Sequence, residues 1–257
     1  MTIPTINFLF LESIEHAKMS KLTNQTALIT GATKGMGLAI AKKLAQLGCN
    51  LLLAARNSDA LKALKVNLEK STPNINVQYF VCDFSDRTQL DGLTQWVDQI
   101  APHLDILINN VGIFHAVSIL DESDEDFDLQ MSINYYTPHL LSRSVARNMR
   151  RNSKGHIFNI SSIASREPVS SAGTYTVTKY AVMGLTHVLR DELRPYGVKV
   201  TEIIPGSTLT SSWEGTAIPA DQFVLPEDIA AAIATCLTMS EGANVDEIVI
   251  KPRYGNI

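Results

Sequence analysis

From Gln25 onward the chain alternates short apolar runs with longer amphipathic segments, and this alternation restricts the fold more than any other feature. Runs such as Ala27-Leu28-Ile29, Leu51-Leu52-Leu53 and Leu107-Ile108 are continuously apolar, as strands covered on both faces must be. The pattern predicts strands near 25–30, 50–55, 76–81, 104–109, 155–160, 198–204 and 245–250. Helices are predicted near 35–47, 58–70, 86–100, 124–150, 172–195 and 226–238. Strands joined by helical crossovers give an α/β, doubly wound architecture, with seven parallel strands and helices on both faces. Ligands bind such a sheet at the carboxyl ends of its strands.

A chain of 257 residues is long enough for one large domain, here placed at 21–257. Residues 1–20 read as an N-terminal appendage, and Met19 is a candidate alternative start. Phe8-Leu9-Phe10-Leu11 is too short to span a membrane and lacks a basic flank, so no membrane association is expected. A net charge of −4 argues against nucleic acid as a partner and leaves a small ligand as the better fit. Cys49, Cys82 and Cys236 have neither disulfide-framework nor metal-ligand spacing, which suits buried thiols in a reducing cytoplasm. No metal site is expected. His103, His115, His139 and His187 show no ligand spacing, and the acidic run Asp121 to Asp126 reads as a helix N-terminus rather than a calcium loop.

Thr30-Gly31-Ala32-Thr33-Lys34-Gly35-Met36-Gly37 follows the first strand and opens the first helix. Glycines there let the backbone turn sharply and approach a pyrophosphate, which helix N–H groups then hold. The second strand ends in Arg56 rather than a carboxylate, and Lys34 adds a second cation, so NADP(H) is expected over NAD. Asp83 after the third strand either meets the adenine or caps the helix starting near Asp86. Asn109-Asn110-Val111-Gly112 ends the fourth strand, where amides can pin neighbouring strands and line a cofactor groove. The 206–222 connection, with a lone Trp213, is either a lid or an irregular surface crossover.

Tyr175 and Lys179 are four residues apart on a predicted helix and therefore share a face, an arrangement in which a cation favours a phenolate. Ser162 lies 13 residues before Tyr175, after the fifth strand. Together, TGATKGMG, NNVG, Ser162, Tyr175-x-x-x-Lys179 and Pro205-Gly206 resemble the short-chain dehydrogenase/reductase family, in its short single-domain branch, over nearly all of 25–251.

That resemblance implies a Rossmann fold and a set of roles. Tyr175 is the implied general acid/base, Lys179 its partner and ribose contact, Ser162 the hydroxyl orienting a substrate carbonyl, and Asn134 the holder of a relay water. Gly31, Thr33, Lys34, Gly35, Met36 and Gly37 form the implied pyrophosphate turn. Arg56, Asp83, Phe84, Asn109 and Asn110 complete the nucleotide site, and Pro205, Gly206 and Thr210 flank the nicotinamide. His115 and Trp213 are candidate substrate contacts, with the substrate loop at 207–222. The implied reaction is NADPH-dependent reduction of a ketone or aldehyde, a small-molecule carbonyl substrate. Lys179 and an oxidised nicotinamide are expected to draw the phenol towards neutrality. A homotetramer or homodimer is implied, and the tail and the stretch from Pro226 to Ala230 resemble sepiapterin and 3-oxoacyl-carrier-protein reductases. A non-catalytic dinucleotide sensor of the same fold is the competing reading, although such a protein would be free to lose Ser162, Tyr175 or Lys179.

Overall fold

The computed structural model describes residues 22–256, so the expected appendage at 1–20 and the candidate start at Met19 lie outside the described residues. Seven strands, β1 (Thr26–Thr30), β2 (Asn50–Ala55), β3 (Val77–Val81), β4 (Ile106–Asn109), β5 (His156–Ile160), β6 (Lys199–Pro205) and β7 (Glu247–Ile250), form one parallel sheet. Their order is β3-β2-β1-β4-β5-β6-β7. After β3 the chain returns past β1 to start β4, so the strand order reverses between β1 and β4. The carboxyl ends of these two strands therefore flank the crevice of a Rossmann-type sheet.

The helices are α1 (Gly35–Gln46), α2 (Ser58–Ser71), α3 (Arg87–Ile100), α4 (Asp124–Met131), α5 (Thr137–Asn152), α6 (Gly173–Leu193) and α7 (Pro226–Leu237). Alternate residues of β1 feed opposite faces, as period-2 geometry requires. Ala27 and Ile29 pack with Ile40 and Leu44 of α1, Leu61 and Leu64 of α2, and Ile229 and Ile233 of α7. Leu28 instead joins Leu90 and Leu93 of α3, Val145 and Met149 of α5, and Leu189 and Leu193 of α6. The central strands are almost wholly buried, whereas the two edges, β3 and β7, are partly exposed. Edge strands lack one neighbour, so their apolar patterning is weaker.

The helix expected over 124–150 is interrupted. Residues Ser132–Tyr136 form a π-helical turn between α4 and α5. Pro138, early in α5, has no N–H to return to the carbonyl four residues earlier, that of Asn134. The Thr137 N–H bonds instead to the Ser132 carbonyl, and the Thr137 hydroxyl donates to that carbonyl at 3.0 Å and to the Phe84 carbonyl at 3.2 Å. The widened turn presents Asn134 to the site, a use of π-turns recurrent at functional positions.

Candidate active site

The turn after β1 is built for close approach of a ligand backbone. Gly31 and Gly35 have φ of 66° and 53°, in the left-handed region that glycine enters without strain. At Gly37 a Cβ would fall 2.2 Å from the Gly31 carbonyl oxygen and 2.6 Å from Asn110 Nδ2. Lys34 sits at the N-cap of α1 without a side-chain cap, and the first turn carries no acid. Its leading N–H groups are thus available to an anion. This cradle fits a dinucleotide pyrophosphate, and Thr33 and Met36 belong to the same turn.

Behind the turn, the Thr30 hydroxyl receives the N–H groups of Asn110 and Val111, both at 3.0 Å, and Asn110 Nδ2 donates to the Thr30 carbonyl at 2.9 Å. Asn110 therefore ties the end of β4 to the glycine turn, while its Oδ1 is buried without a protein partner. Asn109 does the pinning foreseen for an amide here: Nδ2 donates to Asn159 Oδ1 at 2.8 Å and to Ser142 Oγ at 2.9 Å. Its side chain joins β4 to β5 and α5, and its Oδ1, like that of Asn110, is buried without a protein partner.

Lys34 and Arg56 are both exposed at the nucleotide end. Asp83 does not cap α3, correcting that alternative; Asp86 does so, accepting from Thr88 and Gln89 N–H groups. Asp83 instead accepts from the Ser85 hydroxyl at 2.7 Å and the Ser85 N–H at 2.9 Å. Those bonds, aided by the charge of Arg56, hold its carboxyl below the usual range. Phe84 is a core side chain packed with Leu90 and Leu93. Only its backbone can face a ligand.

Ser162 closes β5 and caps a short 3₁₀ turn (Ile163–Ser165), its Oγ accepting from the Ala164 N–H at 3.1 Å. Burial lifts the Tyr175 phenol above its ordinary value, and the neighbouring Ser162 side chain only partly opposes that rise. The expected downward pull of Lys179 does not govern. Its Nζ stands 5.5 Å from the Tyr175 ring centroid and donates to the Ile160 carbonyl at 3.2 Å. Burial lowers the Lys179 ammonium itself from 10.5 to about 8, against the countervailing charge of Glu202. Asn134 Oδ1 accepts from the Ile113 N–H at 2.8 Å, and Nδ2 donates to the Ile113 carbonyl at 3.0 Å and to Thr178 at 3.3 Å. A Cβ at Gly112 would lie 3.4 Å from Asn134 Oδ1 and 3.7 Å from Lys179 Nζ, so both groups converge on that glycine.

Elsewhere the expected contacts divide. Thr210 packs on the glycine turn, with Cγ2 3.3 Å from where a Gly35 Cβ would lie. The Gly206 N–H donates to the Ile250 carbonyl at 2.7 Å, tying Pro205-Gly206 to the last strand. His115 pairs with Asp126 at 3.1 Å, and Trp213 stacks edge-on to Phe223 with centroids 5.0 Å apart. Phe114 was missed, although its ring meets that of Tyr175; the only signal was its place beside the candidate His115. Glu202 was missed as well. It is fully buried on β6 and paired with Arg166 at 3.2 Å, beside His187 and Glu247. Arg166 also reaches Glu247 at 2.7 Å, so an internal cation already serves these acids.

The glycine cradle at the β1/β4 crevice and the serine, tyrosine and lysine near the end of β5 form the arrangement expected of a dinucleotide-dependent oxidoreductase. The profile of short chain dehydrogenases matches residues 25–218, and the chain belongs to the short-chain dehydrogenase/reductase family of oxidoreductases. An uncharacterized oxidoreductase of Staphylococcus epidermidis is 32% identical over 91% of this chain and 100% of its own length. One from Staphylococcus aureus is 34% identical with the same coverage. Among solved structures, a metagenomic short-chain oxidoreductase in complex with NADP aligns at TM-score 0.79 and 29% identity, covering 91% of this chain and 99% of that one. L-sorbose reductase from Gluconobacter frateurii, complexed with NADPH and L-sorbose, aligns at TM-score 0.82 and 25% identity, covering 91% and 97%. The three cysteines are buried and free, as expected, and among the described residues no helix is long and apolar enough to cross a membrane.

Proposed function

We propose that this protein is an NADPH-dependent reductase of a ketone or aldehyde, with Tyr175 as the proton donor. The observation that carries the reading is the Ser162 side chain beside the Tyr175 phenol, with the buried Lys179 ammonium next to them at the carboxyl end of β5. The residues that would hold the cofactor are the turn from Gly31 to Gly37, Asn110, Arg56 and Asp83, with Pro205, Gly206 and Thr210 at the nicotinamide end. When bound, that group supplies the hydride. Ser162 and Tyr175 donate hydrogen bonds to the carbonyl oxygen and so stabilise the negative charge that grows on it. Tyr175 then passes its proton to that oxygen. A phenol lifted above its ordinary value is fully protonated at neutral pH and suits the reducing direction. Lys179 stabilises the phenolate left behind.

NADP(H) is favoured over NAD by Lys34 and Arg56 at an end of the site with no carboxylate on β2, and by the NADP and NADPH complexes of the two structural relatives. The 207–222 segment serves as the substrate loop, with Trp213 anchored on Phe223. A cytoplasmic homodimer or homotetramer accompanies this reading, and sedimentation velocity measures its size. The test of the reaction is NADPH oxidation across pteridines, 3-oxoacyl thioesters, diketones and aromatic aldehydes, repeated with Tyr175→Phe. Unimpaired turnover by that variant would sink the mechanism. An unchanged NADPH/NADH ratio in Arg56→Asp would remove Arg56 from the nucleotide site.

A further inference from the structure

Helix α6 begins two residues before Tyr175, and its N-cap is Ala172, which offers no side-chain acceptor. The first N–H groups of a helix need partners from elsewhere. One of them, and the side chain of the next residue, are served by a separate stretch, 113–122. The Gly173 N–H donates to the Val117 carbonyl at 3.1 Å, and the Thr174 hydroxyl donates to the Glu122 carboxylate at 2.5 Å. Ile119 lies so close over Gly173 that a Cβ there would fall 2.3 Å from its side chain. Phe114 meets the ring of Tyr175 itself edge-on. The near end of the stretch is held by the paired bonds between Ile113 and Asn134, and the far end by the buried Gln130, which donates to the other Glu122 oxygen at 2.6 Å.

We propose that Glu122 is a positioning residue for Tyr175: by gripping Thr174 it anchors the first turn of α6, and 113–122 is a strap that sets where the phenol stands. The proposal rests on Tyr175 being the proton donor. Three further acids, Asp124, Glu125 and Asp126, sit in the first turn of α4, where they complement that helix's own dipole. Glu122 does a different job, since its two oxygens join α4 to the positive end of α6. Because Tyr175 directly follows Thr174, fraying of that turn carries the hydroxyl away from Ser162, and a misplacement of about 1 Å can cost as much as a hundredfold in rate.

The test compares Glu122→Ala, Thr174→Val, the double variant and Thr174→Ser. The first two should each lower kcat by about tenfold or more while KM for NADPH stays within about twofold. The double variant should fall no further than the worse single one, because both changes delete one contact. Thr174→Ser, which keeps the hydroxyl, should retain the parent kcat. Amide hydrogen exchange over 173–178 should quicken in Glu122→Ala while the central strands stay protected. Unchanged exchange in that turn, additive losses, or faster exchange with an unaltered kcat would overturn the proposal. A parent protein without turnover on any carbonyl would instead defeat the proposed reaction, and the exchange measurement would still decide the strap.

Discussion

The ring of Phe114 meets the ring of Tyr175 edge-on, with centroids 4.9 Å apart and planes at 86°. Phe114 keeps 48% of its surface exposed, so it steadies the phenol and leaves apolar surface at the mouth of the site. Edge-to-face pairs contribute about 0.5–1.5 kcal/mol beyond their burial. Phe114→Ala should therefore reduce kcat/KM by about tenfold for aromatic carbonyls and by less for small aliphatic ones. Equal losses across a series of increasing apolar size would show that the ring supports Tyr175 without meeting substrate.

Lys179 and Glu202 should shape the alkaline side of the rate profile. Burial lowers the ammonium to about 8, so its charge is present below that pH and is lost as pH rises through it. Turnover that needs the charge declines above about 8. Glu202 raises the Lys179 value, so removing its charge in Glu202→Gln should move the alkaline limb to lower pH. Arg166 keeps Glu247 as a partner in that variant, which limits the structural damage. A limb that stays in place would disconnect the two residues.

Two glycines should respond in opposite ways to the same change. Gly37→Ala places a Cβ against the Gly31 carbonyl and Asn110, and should weaken NADPH binding by about tenfold or more while lowering Tm. At Gly184, within α6, a Cβ would meet nothing within 4 Å, so Gly184→Ala should stabilise by about 0.5–1 kcal/mol. Cofactor titration by fluorescence and thermal melts check both, and normal binding by Gly37→Ala would contradict the cradle.

His156 gives the acid dependence of stability. It is buried, stacked on Phe158 at 4.0 Å between centroids and bonded to Thr201 at 2.8 Å. Burial, aided by the charge of Lys199, lowers its value from 6.5 to about 3. Between those values the unfolded chain binds the proton and the folded chain does not, so stability is present above 6.5 and drains away as pH falls towards 3. His156→Gln should flatten the loss of Tm across that window. A slope identical to the parent's would place the acid sensitivity elsewhere.

The sheet was legible because buried parallel strands are continuously apolar, and every strand falls within two residues of the span expected from the pattern. The glycine turn and the Tyr175–Lys179 spacing were legible because each is a local arrangement. The π-turn at Ser132–Tyr136 is hidden in the sequence, since Pro138 is one residue in an otherwise periodic helical run. Asp83 is open between two roles in the sequence because capping depends on a backbone angle that composition does not reveal; Asp86 has it.

Periodicity, which acts within a few residues, was enough to determine the doubly wound sheet, whereas the serine, tyrosine and lysine stood out through their family resemblance rather than through spacing alone. Tertiary structure alone decided that Phe114 touches Tyr175, that Glu122 holds Thr174 52 residues away, and that burial rather than Lys179 sets the direction of the phenol. Those outcomes depend on desolvation and on contacts between segments distant in the chain, and neither has a period that a sequence can display.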